Sequence, residues 1–127
     1  MKNINFKTNI KATNYDLTAE IREYINHQIS KFEKVLPPNT EEVILDVEVG
    51  KETDHHKQGL VYRAEFNLEN KGDLKRSVMI EEDLKAAIDL AADDLVRQIR
   101  KNKEKKKDIF RRSAAKVKNM MKFGRKE

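Results

Sequence analysis

A dense run of basic residues is the feature of this 127-residue chain with the clearest chemistry. Residues 97–107, RQIRKNKEKKK, contain seven Lys or Arg and one acid. They follow an Asp-rich stretch, and this order suits a helix dipole, but the number of cations exceeds what a helix end requires. Such density is typical of surfaces that bind the phosphates of nucleic acids or anionic membranes. The sequence therefore predicts a polyanionic partner.

The charge is distributed unevenly along the chain. Residues 100–127 contain 13 Lys and Arg against 3 acids, a formal charge of +10. The other 99 residues contain 14 against 19, a formal charge of −5. The net charge of +5 thus describes a mildly acidic body with a strongly basic end. A disordered, solubilising tail is the alternative interpretation of that end.

Catalytic chemistry finds little support in the residue types. His55 and His56 are adjacent and Asp54 precedes them, but a metal site needs further ligands that the sequence does not mark. The acids at 81–83 could form an acid–base pair, although acids at a helix start are ordinary dipole partners. The chain has no Cys, which excludes disulfide and thiolate chemistry. We expect no enzyme, no cofactor and no metal site.

Hydrophobic periodicity predicts the elements that position the basic run. Alternating apolar residues indicate strands, and apolar residues spaced by three and four indicate helices. Thr18 is the expected N-cap of the first helix, and Pro37 and Pro38 end it. Asn70 and Gly72 favour a hairpin. The predicted strands are 4–10, 43–49, 60–68 and 74–80, and the predicted helices are 17–36 and 83–107.

The order β-α-β-β-β-α predicts the fold. Two strands joined through a helix should be parallel neighbours, and the later strands should form an antiparallel meander. Alternating strands imply one wet sheet face, so both helices should cover the other. We expect an α+β fold, a two-layer sandwich of a four-stranded mixed sheet with two helices on one face. Its β-β-β-α portion is similar to a double-stranded RNA-binding domain.

The predicted domain, residues 1–107, is followed by a basic tail, 108–127. The tail either continues the last helix or is disordered when free, since a short helix without tertiary contacts is marginal in water. Tyr62 and Phe66 share the apolar strand face, so both are expected in the core. RNA recognition should therefore depend on phosphate contacts more than on base stacking.

Two sequence blocks carry a family resemblance. They are YDLTAEIREYINHQISKFEKV, residues 15–35, and EEDLKAAIDLAADDLVRQIRKNKEKKK, residues 81–107. Together with the element order, they show that the chain resembles the bacterial ribosome hibernation-promoting factors over about residues 2–107. This family includes the ribosome-associated inhibitor and protein Y, formerly described as sigma-54 modulation proteins. Where the family often has a tyrosine before AAID, this chain has Lys85.

The resemblance implies a non-enzymatic translation factor. Family members bind the small ribosomal subunit over the messenger RNA and the A- and P-site transfer RNA positions. They keep ribosomes inactive in stress or stationary phase. The expected partners are 16S rRNA and the whole ribosome, with no small-molecule substrate and a monomer off the ribosome. The candidate rRNA-binding residues at matching positions are Arg22, Lys31, Lys34, Arg97, Arg100, Lys101 and Lys103. Lys75 and Arg76 in the fourth strand and Lys85, where the chain departs from the family, are further candidates.

Other expectations follow from the ends of the chain. Only a short basic tail follows Lys107, so a short-type family member is expected, without the domain that pairs ribosomes into dimers. No signal peptide or membrane span is evident, so the expected location is the cytoplasm. Two alternatives stay open: an RNA-binding module that acts away from the ribosome, and a membrane-associated protein that uses the amphipathic stretch 109–121.

Overall fold

The computed structural model describes residues 4–52 and 61–124. Its elements, in chain order, are β1 (Asn5–Thr13), α1 (Ala19–Val35), β2 (Glu42–Lys51), β3 (Tyr62–Asn70), β4 (Asp73–Glu81) and α2 (Leu84–Gly124). The sheet has the order β1-β2-β3-β4. β1 and β2 are parallel, and the other two pairs are antiparallel. The predicted α+β fold with a four-stranded mixed sheet is confirmed.

One face of the sheet forms the core with both helices. Along β2, every second residue from Val43 to Val49 is buried, as the alternating pattern predicts. Phe32 of α1 and Phe66 of β3 are fully buried, and their rings meet edge to face with centroids 5.7 Å apart. The prediction that Phe66 is a core residue is confirmed, and Tyr62 packs at the edge of the same core.

Local sequence signals determine where both helices begin. The Thr18 hydroxyl accepts a hydrogen bond from the Ile21 amide at 3.2 Å, as predicted for an N-cap. Asp83 does the same for α2, because its Oδ2 accepts from the Ala86 amide at 3.1 Å. The acid at this helix start thus has a structural role. At the other end of α1, Leu36 is extended and precedes Pro37.

A two-residue turn connects β3 to β4. Asn70 pairs with Asp73, which leaves Lys71 and Gly72 between them at φ values of 50° and 83°. Two successive positive φ values are the signature of a type I′ turn, which matches the twist of the strands it joins. The predicted hairpin is confirmed. Its position decides which side chains of β4 lie beside α2.

α2 continues well beyond the sheet. It contains 41 residues and passes position 107 without a break. Residues 104–116 are all exposed, whereas Leu84, Ile88, Leu95 and Ile99 are buried against the sheet. The structure therefore has the continuous helix that the sequence left as one alternative for the tail. The domain boundary at 107 and the disorder of the free tail stay predictions.

Candidate nucleic-acid interface

Side chains near the acidic start of α2 form polar contacts with α1. Tyr24 Oη donates to Asp89 Oδ2 at 2.5 Å, and Lys31 Nζ lies 3.4 Å from Asp93 Oδ1. Lys85 Nζ lies 2.6 Å from a carboxylate oxygen of Glu20. These contacts join parallel helices and place acids of one helix opposite donors of the other. Two of the candidate cations, Lys31 and Lys85, are therefore engaged within the protein.

The same contacts shift proton affinities in directions that match their geometry. The hydrogen bond to Asp89, with partial burial, raises the pKa of Tyr24 to about 12. The hydrogen bond and charge of Glu20 raise the pKa of Lys85, and Lys85 in turn lowers the pKa of Glu20. Lys85 Nζ also lies 5.3 Å from the centre of the Tyr24 ring. The Lys85 ammonium is thus stabilised in its charged form beside α1.

Three more candidate cations also have acidic neighbours. Lys75 Nζ lies 2.5 Å from Asp73 Oδ2, and Arg97 lies 3.6 Å from Asp94 one turn earlier. Arg76 Nη2 lies 3.2 Å from Glu65 Oε1 on the open face of the sheet. Exposed pairs of this kind are weak and exchange readily with another anion. These residues remain available to a phosphate only if it displaces a carboxylate.

The open face of the sheet does not have the character of an RNA-binding surface. Arg63 contacts Glu48, Glu52 and Glu65 at 3.4, 3.3 and 2.5 Å, so its charge is offset. Burial alone would raise the pKa of Glu65, but hydrogen bonds from Asn67, Arg63 and Arg76 lower it overall. None of the described strand residues on this face is aromatic. Stacking of bases on the sheet finds no support there.

The apolar residues predicted for β4 lie on this open face. Leu74 is 62% exposed, and Val78 and Ile80 are half-buried. The core side of β4 instead presents Lys75, Ser77 and Met79, and Met79 packs against the core. The antiparallel register places Phe66 opposite Ser77, so the alternate residues of β4 must face outward.

The cations without an acidic neighbour are concentrated on α2 from residue 100 onward, after its acidic stretch. Within the described residues, no ion pair joins Arg100, Lys101 or Lys103 to a carboxylate, and the first two are exposed. Arg22 of α1 is likewise exposed and makes no ion pair with another described residue. Lys34 lies near the end of α1, is exposed and has an interaction within the protein. The α2 residues therefore form the strongest candidate surface for phosphates.

A cleft of roughly 540 Å³ lies beside these residues. Its walls are the segment after α1, the β3–β4 hairpin and α2. Leu36, Leu68 and Ile99, all at most 3% exposed, contribute its apolar floor. The cations that line it are Lys75, Lys103, Lys106, Lys107 and Arg111, against the single acid Asp73. We call this feature the basic cleft.

No observation in the described residues supports a metal site or a membrane role. Residues 4–52 and 61–124 hold no group of three or more His, Cys, Asp or Glu suited to a metal ion. His55, His56 and Asp54 lie outside the described residues. In the part of the chain that the structure covers, no helix combines the length and the apolar character needed to cross a bilayer.

Comparison with known proteins identifies the family of this chain. Residues 8–107 match the model of the family described as sigma 54 modulation protein / S30EA ribosomal protein. The chain belongs to this family. No protein with a curated description matches this S30EA-family chain in sequence.

The solved structures similar to this member of the S30EA family include the following two. The protein Y N-terminal domain of Thermus thermophilus is 26% identical, with a TM-score of 0.60 over 77% of this chain and 98% of that one. A ribosomal subunit interface protein from Coxiella burnetii is 15% identical, with a TM-score of 0.60 over 76% and 97% of the two chains. The second likeness supports the fold alone. The family match and the predicted resemblance agree.

Sequence reasoning missed part of the basic cleft. The candidate residues included Lys75 and Lys103 but not Lys106, Lys107, Phe110 or Arg111, and the family match ends at residue 107, before the last two. The spacing of these residues along one helix was a usable signal. Their meeting with Lys75 depends on the hairpin turn and on the packing of α2 against β4, neither of which a linear pattern records.

Proposed function

We propose that this S30EA-family protein is a non-enzymatic translation inhibitor that binds the small ribosomal subunit. In this proposal it lies over the messenger RNA and the A- and P-site transfer RNA positions. It holds ribosomes inactive under stress or in stationary phase, and it acts in the cytoplasm as a monomer until it binds. The family match, and the 26% identical structure described as a protein Y N-terminal domain, support this assignment.

One structural observation carries the proposal: the separation of compensated from uncompensated charge along α2. Near the start of the helix Asp89 and Asp93 contact α1, while Arg100, Lys101 and Lys103 have no carboxylate partner in the described chain. Phosphates of 16S rRNA are the complementary partner, since cations bound to phosphates release counterions and gain affinity. A compact body with one cationic rim fits steric blockade of an rRNA-lined channel.

The proposed contact residues fall into two groups. Arg100, Lys101, Lys103 and Arg22 need no rearrangement to meet a phosphate. The other proposed residues first leave an intramolecular contact, so we expect each to add less affinity. They are Lys31, Lys34, Lys75, Arg76, Lys85 and Arg97.

Sedimentation with purified ribosomes tests the proposal. The protein should migrate with small subunits and with whole ribosomes, and transfer RNA bound at the A and P positions should displace it. Migration that transfer RNA does not affect would move the site elsewhere on the ribosome. Protein that stays at the top of the gradient at low salt while it binds a structured RNA would favour an RNA-binding module that acts away from the ribosome.

A further inference from the structure

The basic cleft has a chemical composition that phosphate binding alone does not require. Phe110 lies on its wall and is 74% exposed, although an exposed phenyl ring gains nothing in water. The amides of Asn39, Asn70 and Asn102 also line the cleft. An aromatic face, amide groups and cations in one concave site are the groups by which proteins hold an unpaired RNA base and its backbone.

The cations are placed along the cleft in a regular way. Lys103, Lys107 and Arg111 follow each other at intervals of four residues, and Lys106 lies beside them on the same helix. Residues at this spacing lie on one face of a helix with Cβ atoms about 5–6 Å apart. That separation is comparable with the distance between neighbouring phosphates on an extended strand. In the described chain, no ion pair joins these cations to a carboxylate.

The opposite wall is held in place by contacts between the hairpin and α2. Gln98 Nε2 donates to the Arg76 carbonyl at 2.8 Å, and Asn102 Nδ2 lies 3.4 Å from Asp73 Oδ2. Lys75 is only 13% exposed in its side chain, so its stem is packed and its ammonium is positioned. The site is therefore built from fixed elements rather than from surface lysines alone.

Hydrogen-bonding capacity is left over in the cleft. Asn70 Oδ1 is buried and has no hydrogen-bond partner within the described structure. A buried acceptor without a partner is unfavourable, because it has lost its hydrogen bonds to water and gained none in the protein. Rotation of this amide towards a donor in the cleft would gain a hydrogen bond and lose none at Oδ1. The exocyclic amino group of a base is such a donor.

We propose that the basic cleft binds one unpaired nucleotide of single-stranded RNA, with its base against Phe110 and its flanking phosphates on Lys103, Lys107 and Arg111. The inference deepens the proposed function and rests on it for the source of the RNA. It adds a point of base contact to a surface otherwise suited to phosphates. The cleft volume of roughly 540 Å³ lies within the usual range for small-molecule pockets, about 300–1,000 Å³.

A tryptophan introduced at the site gives a direct test. The chain contains no Trp, so Phe110→Trp in the full protein places the single tryptophan of the chain in the cleft. Hexauridylate and hexaadenylate should quench its emission, and an abasic ribose–phosphate hexamer of equal charge should not. Equal quenching by the abasic hexamer, or none by any of the three, overturns base contact at Phe110.

Affinities of matched variants complete the test. Phe110→Ala should weaken hexaadenylate binding at least about fivefold, the factor that corresponds to the low end of stacking contributions per base. It should leave abasic binding and the salt dependence unchanged. Ile109→Ala is the control, because Ile109 is 56% exposed on the same helix but does not line the cleft. Equal losses in both variants overturn the inference.

The outcomes separate this inference from the proposed function. Suppose that the wild-type protein binds small subunits and that Phe110→Ala binds both hexamers and subunits as tightly as wild type does. The cleft inference then fails and the ribosomal assignment stands. If hexamers quench the tryptophan while small subunits are not bound, the ribosomal assignment fails and the cleft inference stands. Quenching by an acidic peptide with an apolar anchor, and not by the hexamers, overturns the nucleotide as occupant.

Discussion

Tyr24 Oη lies 2.5 Å from Asp89 Oδ2, and this hydrogen bond joins α1 to α2 across 65 positions of sequence. Gln28 Nε2 approaches the other oxygen of the same carboxylate at 3.4 Å. Asp89 is thereby directed towards α1 and away from the basic half of its own helix. Asp89 and Asp93 stabilise the packing of the two helices and, in the described chain, make no ion pair with the cations that follow them on α2.

This contact predicts a pH dependence. An ordinary tyrosine has a pKa of about 10, whereas Tyr24 has one of about 12 in the folded protein. The folded state therefore holds this proton more tightly, and the stability it contributes is present below pH 10 and lost as the pH rises towards 12. Tyr24→Phe should lack this loss. Denaturant unfolding at intervals between pH 9 and 12 measures it.

The comparison needs a second tyrosine variant. Tyr15 makes an edge contact with Tyr62 and lies outside the Asp89 contact, so Tyr15→Phe should keep the steep decline of the wild-type protein. If the free energies of unfolding of wild type and Tyr24→Phe change with pH in parallel, the raised pKa of Tyr24 does not contribute to stability.

A second prediction concerns the core. Phe32 and Phe66 are fully buried and in edge-to-face contact. Phe32→Ala should lower the free energy of unfolding by about 3–5 kcal/mol, because it removes transfer free energy and leaves a cavity. Phe110→Ala removes the same atoms from a 74% exposed site, and should change stability by less than about 0.5 kcal/mol. Similar losses in the two variants would contradict the burial of Phe32.

The glycines at 50 and 72 should respond differently to alanine. A Cβ at Gly50 would overlap the Thr13 carbonyl group in the neighbouring strand. Since backbone cannot yield like a side chain, the cost should reach the upper end of the roughly 1–3 kcal/mol typical of overpacking. A Cβ at Gly72 would meet open space, so only the φ of 83° opposes an alanine there. That conformation costs a residue other than glycine about 1–2 kcal/mol. Denaturant unfolding should rank Gly50→Ala as the less stable.

The charge separation along α2 predicts how binding depends on salt. Replacing Arg100 and Lys101 by Ala should weaken small-subunit binding and flatten its dependence on salt, by about 0.7–0.9 in the log–log slope for each lost phosphate contact. Lys7→Ala with Lys11→Ala removes the same charge from β1 and should leave the slope near its wild-type value. Affinity measured over a potassium chloride series distinguishes specific contacts from net charge; equal slopes in the two double variants would move the site away from α2.

Truncation after Lys107 tests the predicted domain boundary. Residues 108–116 are exposed, so their removal should change the free energy of unfolding by less than about 1 kcal/mol. RNA affinity should fall, because Phe110 and Arg111 are lost from the basic cleft. A truncated chain that no longer unfolds cooperatively would show that the last helix is part of the domain beyond residue 107.

The fold was accessible to sequence reasoning because its signals are local and mutually consistent. Alternation in β2, the N-cap at Thr18 and the turn at Gly72 each specify one feature, and chain connectivity limits how they combine. β4 was the exception for side-chain placement. Leu74, Val78 and Ile80 face outward because pairing with β3 sets the register, and the sequence of a single strand does not contain that information.

The candidate site was predictable only in part. The basic run on α2 is visible in the sequence, but which cations keep an acidic neighbour depends on tertiary contacts such as Lys31 with Asp93 and Arg76 with Glu65. The basic cleft combines residues from three separate segments, so spacing along the chain cannot reveal it. In the sequence, Phe110 is one apolar residue of an amphipathic tail. Its place in the cleft depends on the hairpin that lies beside it in the fold.

The shape of α2 has a consequence for the approach to a partner. About 17 residues continue past position 107, and at 1.5 Å per residue they extend the helix by about 25 Å. Positive charge is concentrated on residues 100–127, and the rest of the chain has a net negative charge, so the molecule has an electric dipole moment along the helix axis. In the field of a polyanion this moment exerts a torque, and the molecule turns its helix end forward before any contact forms. The extension thus affects the rate and orientation of encounter, and not only the strength of the final complex.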